Sequence, residues 1–174
     1  MLEHDLNAGI PGCKNCTLPG WCNRTAQCSQ CRPGYMQNKS GQSSCVACRP
    51  GYYQDKAGQK VCIECPVGHC QDKSGQKICI ECPAGQYQNL TKQTTCFKCP
   101  QGTYQSKTMQ ATCLACLQGN YQDKTGQTEC SKCPAGQYQN LTRQTACIRC
   151  PSGTSQPLKG QASCRDCAPG SFSR

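Results

Sequence analysis

The sequence is short of everything that builds an ordinary hydrophobic core. Two Phe, one Trp and seven Tyr are spread over 174 residues, and Leu, Ile and Val are equally sparse. No stretch approaches the roughly 18–20 apolar residues that a membrane-crossing helix needs, so membrane attachment would come only through a segment outside this chain. The first twelve residues are polar, with Glu3, His4 and Asp5, and lack the apolar run of a secretory signal; the expectation is that processing or truncation has removed one. Histidine is almost absent, with only His4 and His69, carboxylates are few, and no nucleophile stands beside a base in a recognisable setting. The reading is therefore of no enzyme, no metal and no cofactor.

Cysteine is what the sequence has in excess. It supplies 22 of 174 residues, about 13%, above the roughly 8–10% that marks a disulfide scaffold. So many thiols pair in a secretory or extracellular setting and are a hazard in a reducing one, which places the chain outside the cell or at its surface. Five N-x-[ST] sequons, at Asn15, Asn23, Asn38, Asn89 and Asn140, agree with that compartment, and N-linked glycans are expected on them. The formal charge of +10 does not form a block. Lys and Arg come one or two per repeat, interleaved with Asp, as on a solvated surface. Nucleic acid is not expected as a partner, while an acidic polysaccharide stays open.

The architecture is a repeat. The first cysteines of nine successive CxxC pairs fall at 28, 45, 62, 79, 96, 113, 130, 147 and 164, a period of 17 without insertion. Each unit runs from the second cysteine of one pair to the first of the next, and positions below count residues beyond that opening cysteine. Gly occupies the third position in all nine units, from Gly34 through Gly102 to Gly170, usually after Pro, which marks a turn. An aromatic usually takes the fifth (Tyr53, Tyr87, Tyr104, Tyr121, Tyr138, Phe172), where its ring could cover a disulfide. Gln takes the sixth and eleventh in all eight complete units, and between them several units read Asp-Lys-x-Gly, as in Asp55 to Gly58. There Asp can bond nearby backbone and Gly accepts positive φ. Each unit is thus expected to be a small β-hairpin, its two Gln either facing each other across the strands, bonding the next unit, or simply solvated. The fold class is small and disulfide-rich: tandem 17-residue hairpins stacked into an elongated rod with little hydrophobic core. Strands about 4.8 Å apart give roughly 10 Å per repeat, so nine units would extend on the order of 90 Å.

A second period overlies the first. Cys82 to Cys96 and Cys133 to Cys147 are nearly identical and lie 51 residues apart, and Asn38, Asn89 and Asn140 keep that spacing at the seventh position. The expectation is a glycan on every third unit.

Three disulfide patterns are possible: within a CxxC, between equivalent cysteines of adjacent units, or from the opening cysteine of a unit to its closing one. Sequence alone does not settle connectivity. The third is favoured because it secures each hairpin, contributing about 3 kcal/mol per loop in the chain-entropy model. It pairs Cys31–Cys45, Cys48–Cys62, Cys65–Cys79, Cys82–Cys96, Cys99–Cys113, Cys116–Cys130, Cys133–Cys147 and Cys150–Cys164. C-P-x-G-x-Y with a cysteine fourteen positions after the first resembles the small cysteine-rich module of tumour-necrosis-factor receptors and the ephrin-receptor-like cysteine-rich repeats. The resemblance covers roughly residues 28–174 and implies the same fourteen-residue closure. It implies no ligand site, and the uniformity of the units departs from the mixed modules of tumour-necrosis-factor receptors.

The expected organisation is a tail over 1–12, an atypical cysteine-rich cap over 13–30, and repeats over 31–174 with the last incomplete. In the cap, Cys13–Cys22 and Cys16–Cys28 would form two disulfides, since repeat arrays need atypical ends. The scheme assigns no mate to Cys70 or Cys167. Cys70 replaces the usual aromatic beside His69, and is read either as an interchain bond or as a small apolar filler. Cys167 opens a ninth unit whose mate would lie beyond Arg174, so the chain is expected to be a fragment. CxxC pairs at this separation also resemble structural zinc sites, a reading that the sequons and the lack of recurrent histidine oppose. Together these features point to an extracellular structural or adhesive glycoprotein fibre, associating with itself or with other matrix proteins. The alternative is the ligand-binding ectodomain of a receptor.

Overall fold

The computed structural model describes residues 13–14, 30–38 and 44–168. Among them all regular structure is strand, in two-residue pieces that form antiparallel pairs. Tyr35–Met36 pairs with Val46–Ala47, Tyr52–Tyr53 with Ile63–Glu64, and His69–Cys70 with Ile80–Glu81. Gln86–Tyr87 pairs with Phe97–Lys98, Thr103–Tyr104 with Leu114–Ala115, and Asn120–Tyr121 with Ser131–Lys132. Gln137–Tyr138 and Thr154–Ser155 pair with Ile148–Arg149 and Arg165–Asp166. One further pair joins Cys13–Lys14 to Gln30–Cys31.

The hairpin differs from the expected one in where its second strand lies. That strand is the pair of residues inside the next CxxC, beyond the closing cysteine, so the disulfide crosses the hairpin rather than ending it. The first strand starts at the fourth position because the glycine before it turns the chain. Gly34 has φ +89° and Gly102 +74°, a region that costs an L-residue about 1–2 kcal/mol. The turn closes with Tyr35 N–H donating to Arg32 C=O at 3.1 Å, and the hairpin with Cys48 N–H donating to Gly34 C=O at 2.9 Å. Between the strands runs an irregular loop from the sixth to the fourteenth position, too rich in Asn, Asp, Ser, Thr and Gly to hold a ladder.

Eight disulfides span these loops: Cys31–Cys45, Cys48–Cys62, Cys65–Cys79, Cys82–Cys96, Cys99–Cys113, Cys116–Cys130, Cys133–Cys147 and Cys150–Cys164, each across fourteen residues. The sixteen cysteines paired in this way therefore present no thiolate to a zinc ion.

The described residues divide into two compact units, those up to Glu81 with Leu90–Thr95, and Cys82–Asn89 with those from Cys96 on. Within the first, successive hairpins meet through backbone. Gly51 N–H donates to Gln71 C=O at 2.7 Å, Gln54 N–H to Gln76 C=O at 3.1 Å, and Gly75 N–H to Cys48 C=O at 2.8 Å. Within the second, Gly102 N–H, Gln105 N–H and Gly126 N–H make the equivalent bonds to Gln122, Gln127 and Cys99. Each junction thus uses the third, sixth, tenth and eleventh positions and the opening cysteine, all through main chain.

Contact also reaches two hairpins ahead. A Cβ on Gly51 would run into the carbonyl of Lys92, and one on Gly102 into that of Arg143. At Gly34, Gly51, Gly85, Gly102 and Gly119 the third-position glycine therefore serves both the turn and this close approach. The approaching residue, at the tenth position, has positive φ even where it is not glycine: Lys92 at 63°, Met109 at 58° and Arg143 at 62°. That conformation points its N–H at the opening cysteine of the preceding hairpin.

The interior is narrow. Among the described residues the buried apolar side chains are cysteines alone, Cys31, Cys48, Cys65, Cys82, Cys99, Cys116 and Cys133, and beside them lie the sixth-position glutamines, with Gln88 wholly buried. A disulfide and an amide replace the usual aliphatic cluster.

Candidate functional site

The surface available for function is the set of loops, and the buried glutamine shapes each one. Gln54 Nε2 donates to Val61 C=O at 2.7 Å while its Oε1 accepts from Lys56 N–H at 3.1 Å. Gln71, Gln105 and Gln122 do the same in their own loops. One amide side chain thus satisfies a donor and an acceptor that the loop would otherwise bury unpaired. The eleventh-position glutamine acts nearer the surface, Gln110 Nε2 donating to Thr108 C=O at 2.9 Å. The expected pairing of the two glutamines across strands is therefore incorrect, and so is a merely solvated role for the sixth. Each bonds backbone of its own loop, because neither position lies in a strand. The expected role of Asp is corrected too: at Lys56 the acceptor is Gln54 rather than Asp55.

The seventh position begins the exposed part of the loop. Asn38, Asn89 and Asn140 are all exposed there. In the second unit Gln118 Nε2 donates to Asn140 C=O at 2.8 Å, which fixes the backbone from the preceding hairpin and leaves the side chain outward. Asn15 and Asn23 lie outside the described residues, as do Phe172 and the cap cysteines Cys16, Cys22 and Cys28; Cys13 stands in the strand paired with Gln30–Cys31. Cys70 is half-buried opposite Ile80, and Cys167 is half-buried with a free thiol.

Charged groups are thinly spread. Lys92 Nζ lies 2.8 Å from Glu64 Oε1, with both side chains 48% exposed, and the hydrogen bond to Glu64 raises the Lys92 pKa above its ordinary value. Arg32 and Arg49 stack on Tyr35 and Tyr52, with the guanidinium 4.8 Å and 4.6 Å from the ring centroids. A groove of about 540 Å³ in the second unit is lined by Arg149, Ser152, Thr154, Ser155 and Gln156 among others. Its hydroxyls have no base within that lining. Sequence reasoning had no signal for the groove, since these residues are ordinary members of the repeat.

Residues 39–78, 72–109, 102–142 and 136–174 each match the family described as tyrosine-protein kinase ephrin type A/B receptor-like. The chain belongs to this family. No curated protein matches it. Each match spans more than two 17-residue units, so what defines the ephrin-receptor-like repeat here is the succession of hairpins rather than any single one. The ephrin-receptor-like array is a disulfide-rich, receptor-like repeat module of the extracellular type, not an enzyme fold. No helix among the described residues is long and apolar enough to cross a membrane.

Proposed function

We propose that this chain is part of an extracellular structural or adhesive stalk, in which the number of units sets the reach. The observation that carries the reading is the junction between hairpins. It is made by main-chain groups and repeated with the same positions inside each compact unit, so hairpins add without unit-specific contacts, as in other repeat architectures. Self-association or attachment to other matrix proteins is the partner class that fits such a stalk, with an acidic polysaccharide as a further partner for its scattered cations.

The second reading is the ectodomain of a receptor, favoured by the family description, which names receptors. The two separate in one experiment on the native full-length protein. Removing residues 82–132 takes out three whole units and joins Glu81 to Cys133 in phase. A stalk stays folded and secreted, becomes shorter by electron microscopy, and keeps its attachment. A receptor loses a specific soluble protein ligand; capture of such a ligand, lost on this deletion, would overturn the stalk.

A further inference from the structure

The eighth position separates the loops into two kinds. Lys39, Lys56, Lys73, Lys107 and Lys124 occupy it in five of them, whereas Leu90, Leu141 and Leu158 occupy it in three, and these leucines are 57%, 57% and 56% exposed. Two of the three stand inside a sequon, Asn89-Leu90-Thr91 and Asn140-Leu141-Thr142. At the seventh position the other loops carry Asp55, Asp72, Ser106, Asp123 and Pro157, a mixture that shows no packing role for that side chain. In the second unit the Asn140 backbone is held by Gln118, and Leu141 N–H donates to Gln139 Oε1 at 3.0 Å. The loop is thus fixed from beneath while the asparagine amide and the leucine stand side by side in solvent.

We propose that Asn38, Asn89 and Asn140 carry N-linked glycans, and that the first sugars on Asn140 lie over Leu141. In the modification, Asn Nδ2 attacks the anomeric carbon of a lipid-linked oligosaccharide diphosphate. The N–C1 bond forms, the C1–O bond to the diphosphate breaks, and the amide loses one proton. The apolar C–H face of the sugar then covers a leucine that sister loops replace with lysine, which removes apolar area from water. Leu158 follows Pro157 and has no sequon, so it stays exposed and serves as an internal control.

The inference rests on the extracellular reading, and its test separates the two. The full chain is secreted from a eukaryotic host, its disulfides are verified, and its glycopeptides are mapped before and after enzymatic deglycosylation. The expected result is occupancy at all three asparagines, with one glycan mass lost in each of Asn38→Gln, Asn89→Gln and Asn140→Gln. Unmodified asparagines on secreted, disulfide-intact protein overturn the sites; failure of the chain to be secreted or oxidised overturns the compartment instead. Deglycosylation is further expected to raise binding of an apolar dye more in the wild type than in Leu141→Lys, which keeps Leu90 beside Asn89. Equal dye binding before and after overturns the cover over Leu141.

Discussion

Gln105 and Gln110 belong to one loop and carry the same side chain, yet Gln105 is 3% exposed and Gln110 is partly open to solvent. Gln105 holds Thr112 C=O at 2.8 Å and Lys107 N–H at 3.1 Å. Gln105→Ala removes the side-chain partner of both part-buried bonds, at a cost of about 1–2 kcal/mol. Gln110→Ala loses one surface bond and is expected to cost less than about 0.5 kcal/mol. Denaturant melts give the two values, and faster hydrogen exchange at Lys107 N–H would locate the damage in Gln105→Ala. Conformation gives a contrast of the opposite sign. Met109 is held at φ 58° with its side chain 47% exposed, so Met109→Gly relieves left-handed strain and loses little packing, a gain of about 1 kcal/mol. Gly126→Met is expected to lose stability, since it adds that strain and meets the Lys98 side chain. A Met109→Gly protein that melts lower than wild type would show that the side chain contributes more than its exposure indicates.

At the scale of the hairpin, two glycines with nearly the same φ separate strain from approach. Gly102 and Gly126 stand at φ 74° and 72°, but a Cβ at Gly102 strikes the Arg143 carbonyl whereas one at Gly126 meets only the flexible Lys98 side chain, at 3.3 Å. Gly126→Ala therefore carries mainly conformational strain, about 1–2 kcal/mol. Gly102→Ala adds overpacking against backbone, for a total of about 3 kcal/mol or more. Equal melting shifts would mean that the hairpin two ahead yields freely. The turn itself was legible in the sequence, because a glycine that recurs at every seventeenth residue, usually after proline, is the pair of breakers that a tight turn requires. The approach was not, because it joins residues 41 apart in a chain where every unit looks alike, and periodicity cannot say which repeat a glycine touches. The same blindness hid the glutamines: two identical residues per unit recur equally well whether buried or exposed. The second strand was missed because a CxxC spacer such as Phe97–Lys98 is too short to show strand alternation. The seventh-position sequons were read correctly as exposed at Asn38, Asn89 and Asn140, since their spacing of 51 places all of them at one point of the loop.

The whole molecule carries these local devices in place of a core. A domain of ordinary build exposes much apolar surface on unfolding, which gives a heat-capacity change of about 12–15 cal/mol/K per residue. Here the buried apolar side chains among the described residues are cysteines, the other main interior residue is glutamine, and Val61, Ile78 and Leu117 are 65%, 66% and 68% exposed. Exposing polar amide lowers the heat capacity while exposing apolar surface raises it, so the two contributions oppose each other. The disulfides, moreover, keep each loop closed in the unfolded chain and limit how much surface opens at all. Calorimetry of the oxidised protein is therefore expected to give a heat-capacity change well below the ordinary value per residue. Full reduction then removes about 3 kcal/mol from each loop in the chain-entropy model, with no aliphatic cluster to hold the hairpins, and backbone circular dichroism is expected to collapse to that of a coil. A reduced protein that kept its ellipticity, or an oxidised one with an ordinary heat-capacity change, would mean that apolar burial rather than cross-linking maintains the fold.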